Sequence, residues 1–591
     1  MLLKDDLSLS VLREAYRSGK TTPEELIGRV LEACDGADPK IWIERLSVEQ
    51  VMTYVKRMEA LDPDSLPLLG VPFAIKDNID LAGVPTTAGC PEYAYVPERS
   101  AFAVGKLIEA GAIPIGKTNL DQFATGLVGV RSPFGFPTNP YNGDYIPGGS
   151  SSGSAVAVSA GLVSFSLGTD TAGSGRVPAS LNDLVGLKPT KGLVSCSGVV
   201  PACRSLDCVT VFAATTSETA EVLNVMAGFD AADPYSRSVI SSPLPGPQVS
   251  KAKIGIPKPD QLEFFGDEDC RALFSESIQR FRDLGCEVTE IDFAPFLEAA
   301  LLLYEGPWVA ERLAAIEPFL DAQADAVFPV TRKIIEGGRT LTAVAAFRAE
   351  YRLRELKRRA DDVWDFVDAI LTPTFGKPYT VAEVEADPIR LNSNLGYYTN
   401  FMNLLDYAAT AVPAGFLSQQ GMPWGITLFG PAFCDAFLLE LAAKFHAKGD
   451  AFPTLRIDSD EPRIEVVVCG AHLSGLPLNH QLTTRGGWLV EATQTAPCYR
   501  MFALPATEDF PPRPGLVRDD SRGAAIEVEI WSVPASSFGT FVDGIGSPLG
   551  IGKVTLADSR EVSGFVCEEW ATVSAEEITS HGGWRAWMPS R

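Results

Sequence analysis

The chain has 591 residues, 46% of them hydrophobic, and its 50 Lys and Arg against 75 Asp and Glu give a formal charge of −25. That acidic balance excludes a nucleic acid held through a basic face, and the apolar share excludes a disordered chain. The length allows up to about four domains. The opening Met1-Leu2-Leu3-Lys4-Asp5-Asp6 is acidic where a leader needs an apolar region, and no apolar run of about 18 residues follows, so a cytoplasmic protein without a membrane partner is expected. Eleven scattered cysteines without a Cys-x-x-Cys pair predict reduced, mostly buried thiols, with neither a disulfide framework nor a zinc site.

Residues 7 to 60 mix apolar and charged positions at helical spacing, with Thr21-Thr22-Pro23-Glu24-Glu25 as a helix start, and predict a helical N-terminal layer. From about 68 to 215, short β-like runs such as Val71–Ile75, Ala112–Ile115 and Val163–Leu167 alternate with helical or Gly/Ser-rich stretches, which predicts an α/β core. Residues 268 to 287 and 298 to 369 read as helical, 409 to 430 as short strands and turns, and no internal repeat is present. A polar stretch, Asp458-Ser459-Asp460-Glu461-Pro462-Arg463, suggests a boundary near 447 to 463 and hence domains 1–450 and 463–591. The second is β-rich, with frequent Gly and His472, His480 and His581.

Gly111-Ala112-Ile113-Pro114-Ile115-Gly116-Lys117-Thr118 satisfies the phosphate-loop pattern G-x-x-x-x-G-K-[ST]. Its interior is apolar, Pro114 removes one N–H donor, and the segment before it reads as a helix, so a strand ending at Lys117 is expected instead of a nucleotide site.

The most informative segment is 146–176, where 7 Gly and 8 Ser fill 15 of 31 positions. Interleaved Ala155, Val156, Ala157, Val158, Leu162 and Val163 argue against a flexible linker, and the glycines around Ser150 and Ser174 suit a backbone that aims N–H groups at a small ligand. A nucleophilic serine needs a base, yet residues 1 to 445 contain no histidine. Lysine is the remaining nitrogen base, and Lys76 ends a β-like run, where a catalytic group on an α/β sheet is expected.

These residues resemble the amidase-signature enzymes over about 65 to 430. The likeness is carried by Gly70–Asp77, Gly116–Phe123, Pro147–Ser151, Gly168–Ser174 and Gly186–Thr190, with Ser152 and Ala172 standing where the usual pattern has Gly. The resemblance implies a mixed central sheet covered by helices and a Ser–cis-Ser–Lys triad. By position, Ser174 is then the nucleophile, Ser150 the bridging serine after a cis Gly149–Ser150 bond, and Lys76 the base. Backbone N–H groups of Thr171, Ala172, Gly173 and Ser174 would form the oxyanion hole, and no metal or organic cofactor is implied. For Lys76 to act at neutral pH, its surroundings must disfavour the ammonium by roughly 4 kcal/mol.

Within that family the sequence resembles the allophanate hydrolases, and this likeness extends through the C-terminal domain. It implies hydrolysis of a urea that bears a carboxylate, with Gly126, Tyr304 and Arg312 binding the substrate. A guanidinium suits the role because it pairs with a carboxylate in bidentate fashion. Pro307 at a first helical position would put Tyr304 on the entry turn and Arg312 on the second turn of one helix. Arg131 and Arg176 are rival carboxylate binders, Arg176 reading as structural. The C-terminal domain resembles a small γ-glutamylcyclotransferase-like β fold, in which His480, or else His472, would process the first product. A homodimer is the expected assembly; the alternatives to this function are a general small-amide hydrolase and one subunit of an amidotransferase.

Overall fold

The computed structural model describes residues 6–59, 61–238, 249–448, 462–506 and 512–588, and the chain divides into two compact units near residue 458. The polar stretch 458–461 and most of the expected boundary lie outside the described residues.

The first unit is built on an 11-stranded sheet. Its strands are β1 (Trp42–Arg45), β2 (Pro72–Lys76), β3 (Ile113–Thr118), β4 (Phe165–Asp170), β5 (Val185–Lys188), β6 (Cys208–Ala213), β7 (Lys253–Pro257), β8 (Glu287–Ile291), β9 (Ala369–Pro373), β10 (Tyr407–Phe416) and β11 (Pro423–Pro431). They lie in the order β1-β3-β2-β4-β6-β5-β10-β11-β9-β7-β8. β2 pairs in parallel with β3 and β4, while β4, β6, β5, β10, β11 and β9 are joined by antiparallel ladders, so the sheet is mixed. Every residue of β2, β3 and β4 is buried, which is why these strands read as continuous runs and not as an alternation.

The N-terminal layer contains the expected helices Leu9–Arg17, Pro23–Asp35 and Val48–Glu59. Thr22 caps the second in a full capping box with Glu25, and Pro23 takes the first turn. Sequence reading missed β1, a four-residue edge strand antiparallel to β3, because so short a half-polar run carries no period. Residues 113–118 are strand, as expected of the phosphate-loop lookalike, and Lys117 is wholly buried with its amine 3.0 Å from Asp77 and 2.9 Å from Thr86. An amine so engaged has no capacity left for a phosphate.

The Gly/Ser-rich stretch is not a linker. Ser152–Ser159 is a helix buried along most of its length, and its small residues let it lie directly against the sheet. A Cβ on Gly153 would stand 2.3 Å from the Ile41 carbonyl oxygen, and Ser154 bonds the Leu167 carbonyl at 2.8 Å. Much of the small-residue density therefore serves helix–sheet packing and not the approach of a ligand.

The second unit is β-rich. A five-stranded sheet contains Arg463–Val468, Trp488–Gln494, Glu527–Pro534, Leu549–Thr555 and Glu561–Cys567, and a three-stranded one contains Tyr499–Leu504, Arg513–Arg518 and Glu576–Glu577. Val466, Val467, Met501, Val528, Ile530 and Phe565 fill its core.

Candidate active site

Lys76 closes β2 and Asp170 closes β4, two strands in parallel register with Ile75 opposite Leu167. Their carboxyl ends therefore bring the residues after each strand to one place, as open α/β sheets commonly do at a binding site. Lys76 is fully buried, and its Nζ lies 2.7 Å from both Ser150 Oγ and Thr169 Oγ1. Burial lowers its pKa to about 7, against the opposing fields of Asp121, Asp207 and Asp170, and the nearby Arg312 cation adds to the lowering. An amine that is half neutral at pH 7 can accept a proton from Ser150. The Gly149–Ser150 bond is cis. His446, the histidine of this unit, is buried without a hydrogen-bond partner and lowered by burial to about 4.

Ser174 lies in a tight loop between β4 and the helix Val177–Ser180. Asp170 shapes that loop from inside: its carboxylate accepts the N–H groups of Gly173 at 2.8 Å and Gly175 at 3.1 Å. It also forms a two-pronged pair with Arg176, with both bonds 2.9 Å. Arg176 is thereby structural, as expected. Gly173 adopts φ +132°, and a Cβ there would lie 2.5 Å from Thr399 Oγ1, so no larger residue fits this turn. The Gly173 N–H is held by Asp170, whereas those of Thr171, Ala172 and Ser174 are unbonded among the described residues. A second carboxylate, Asp207, accepts the Thr171 hydroxyl and the Ala202 and Cys203 N–H groups, and burial pushes it up to about 6.

The Ser174 hydroxyl donates to the Gly126 carbonyl at 3.4 Å, and no hydrogen bond joins it to Ser150 among the described residues. The contact from Lys76 to Ser150 is formed, and the Ser174 hydroxyl is held by that one long contact alone.

Arg312 is 2% exposed, on the second turn of the helix Trp308–Ala322. Its guanidinium bonds Thr125 Oγ1 at 3.2 Å, beside the Gly126 that receives Ser174, and lies 5.6 Å from the Tyr304 ring centre. Its Nε has no partner, and no carboxylate pairs with it among the described residues. The neighbouring Glu311 faces away, accepting the Ser205 N–H and hydroxyl at 2.8 Å each. Tyr304 is not on the same helix: it sits on the last turn of Ala294–Glu305, and Pro307 is the cap and not the first helical residue. Arg131 is also buried, bonded to the Thr125 and Pro388 carbonyls.

Lys76, Ser150, Ser174, Gly126, Tyr304 and Arg312 thus belong to one unit, whereas His480 belongs to the other. His480 is exposed, with Nδ1 donating to the Pro477 carbonyl at 2.8 Å and Nε2 without a bond among the described residues. His472 stacks on Phe565 and bonds Gln481, the pattern of a packing histidine. Sequence reading missed Asp170 and Asp207. Buried carboxylates that hold backbone N–H groups leave no spacing signal.

The amidase family profile matches residues 25–439, and the chain belongs to that family. The allophanate hydrolase C-terminal domain profile matches residues 464–589. The chain is 43% identical to the urea amidolyase of Saccharomyces cerevisiae over 93% of its own length and 31% of that protein's, so it spans about a third of that relative. It superposes on the solved allophanate hydrolase of Kluyveromyces lactis with a TM-score of 0.86, at 39% identity and full coverage of both chains. It is 33% identical to a glutamyl-tRNA(Gln) amidotransferase subunit of Lacticaseibacillus paracasei, over 75% of this chain and 97% of that one.

Proposed function

We propose that this chain hydrolyses the terminal amide of allophanate. The observation that carries the reading is Arg312, a buried guanidinium with no bonded carboxylate among the described residues, held by Thr125 next to the Gly126 carbonyl that accepts the Ser174 hydroxyl. The fields of Asp207 and Glu311 offset part of its desolvation, and a ligand carboxylate would supply the bonded counter-charge that it lacks. Allophanate joins a carboxylate to a carbamoyl group through one N–H, so anchoring the carboxylate on Arg312 presents the terminal carbamoyl carbon to Ser174. The full-length likeness to an allophanate hydrolase supports the same reading. Likeness to the amidotransferase subunit leaves about a quarter of the chain unmatched and does not favour that alternative.

In this reading Ser174 Oγ attacks the carbamoyl carbon while its proton passes to Ser150 and that of Ser150 to neutral Lys76. The N–H groups of Thr171, Ala172 and Ser174 meet the oxyanion. Collapse breaks the bond to the terminal nitrogen, which takes the proton back through Ser150 and leaves as ammonia. Water, deprotonated by the same relay, then cleaves the acyl-enzyme to N-carboxycarbamate. Loss of carbon dioxide gives carbamate, which breaks down to a second ammonia and carbon dioxide. The amidase domain, residues 1–450, carries this chemistry, and the C-terminal domain, residues 463–591, carries His480, whose free Nε2 makes it the candidate for handling N-carboxycarbamate. His480→Ala should lengthen the lifetime of that intermediate, followed by carbon NMR, without slowing its formation; an unchanged lifetime removes His480 from the chemistry.

We place the enzyme in the cytoplasm as a homodimer. All eleven cysteines are free thiols, as a reducing compartment requires, and Val344, Phe347 and Tyr351 form an exposed apolar stripe on the helix Ala343–Asp361. No helix among the described residues is long and apolar enough to cross a membrane.

Ammonia release by the purified chain from allophanate, malonamate and glutamine tests the reading, with allophanate far the best substrate. Activity on glutamine with none on allophanate overturns it. The same assay carries a pH expectation. The base must be neutral and Lys76 gains its proton below about 7, so kcat/KM should fall about tenfold per pH unit below that point and level off above it. A profile flat from about pH 5.5 to 8.5 would exclude Lys76 as the base.

A further inference from the structure

Beside Tyr304 lies a cavity of about 290 Å³ that the mechanism above does not use. Arg131, Tyr304 and Asn392 form part of its wall, and Lys333 and Glu305, both exposed, also line it. The inner groups are tied to the strip that backs the nucleophile. Arg131 bonds the Thr125 carbonyl at 3.0 Å, and Asn392 Oδ1 accepts the Leu127 N–H at 2.7 Å. Tyr304 is shared with the Arg312 site.

Arg131 is 2% exposed, bonds only carbonyl oxygens through its guanidinium, and its Nε has no partner. No carboxylate pairs with Arg131 or with Lys333 among the described residues; the Asp121 carboxylate accepts the backbone N–H of Arg131 at 2.9 Å and not its guanidinium. Two guanidinium groups therefore meet Thr125, Arg312 at its hydroxyl and Arg131 at its carbonyl, both without a bonded anion. A further cation, Lys333, comes from the helix Pro329–Glu336. The buried Asp121 carboxylate faces Arg131, and Asp207 and Glu311 face Arg312, so these carboxylates oppose the two guanidinium groups and Lys333 adds the positive charge that no nearby carboxylate bonds among the described residues. Glu305 is the opposing charge on this wall, and it is exposed, so water and salt screen it more than they screen Arg131.

We propose that this cavity is a second anion subsite, in which Lys333 and Arg131 gather the carboxylate of a small amide substrate before Arg312 takes it. The inference rests on the reading of an anionic amide as substrate and extends it to a route of entry. Arg131 also braces the segment 125–131, so its variants risk misfolding, whereas Lys333 is exposed and tests the subsite cleanly.

Lys333→Glu and Lys333→Gln in the full chain are to be compared with the parent on allophanate and on propionamide, at low and at high salt. At about 10 mM ionic strength the Glu variant should lose at least about fivefold more kcat/KM on allophanate than on propionamide, through KM more than kcat. The difference should shrink severalfold at about 0.5 M salt, where screening acts over a few ångströms. Equal losses on the charged and neutral amides overturn the subsite. A chain inactive on allophanate would instead defeat the substrate reading. The subsite is then read by titrating malonate onto the Ser174→Ala chain, where Lys333→Glu should weaken binding at least about fivefold and unchanged affinity overturns the proposal.

Discussion

Replacing Ser174 by alanine is expected to lower kcat for ammonia release by at least about 10⁴-fold while leaving the protein folded. The loss is large because no neighbour can substitute. Ser150 is tied to Lys76 at 2.7 Å and stands on the base side of the relay, and Thr169 is bonded to the same amine. The fold should survive because the nucleophile loop does not depend on the Ser174 hydroxyl. Its shape is set by Asp170, through the Gly173 and Gly175 N–H groups and Arg176, and the hydroxyl contributes one 3.4 Å contact. Losing so long a hydrogen bond changes stability by less than about 1 kcal/mol. Activity within about tenfold of the parent, at an unchanged melting temperature, would assign the nucleophile elsewhere.

How much of this is legible in the sequence follows from which physics leaves a linear trace. Capping does, and the Thr22–Glu25 box with Pro23 marks its helix to the residue. Exclusion by counting does too: the absence of histidine before residue 446 points to lysine, and Lys76 stands buried against Ser150. The lookalike phosphate loop is separable because an apolar interior cannot offer N–H groups to a phosphate, and it is strand. What fails is whatever depends on partners distant in the chain. β4 pairs with β6 and β5 with β10, neighbours that are not consecutive in the chain, and no local pattern orders them. The helix break at Gly306–Pro307 reads in sequence as the start of one helix around Tyr304, although two helices meet there. The claim of Asp170 on the Gly173 N–H is invisible, because a side chain reaching its own loop has no signature beyond the Asp itself.

Arg312→Leu separates binding from folding more sharply than any other substitution in the site. On allophanate it should lower kcat/KM by at least about 100-fold, on the order of 3 kcal/mol, because the substrate carboxylate would enter a buried pocket without its charge partner. A neutral amide of similar size, which never used the guanidinium, should lose far less. The folded protein should at the same time be no less stable. Arg312 is 2% exposed with no carboxylate bonded to it among the described residues, so in the free enzyme its desolvation is offset only by the longer-range fields of Asp207 and Glu311, and a bonded carboxylate comes with the ligand. Its one side-chain partner loses little, because the Thr125 hydroxyl is left bonded to the Phe123 carbonyl at 3.1 Å. The expected pairing is therefore a large loss on the anionic substrate with an unchanged or higher melting temperature. Equal losses on charged and neutral amides with a lower melting temperature would make Arg312 a structural residue, and the counter-charge argument for a carboxylate substrate would fall with it.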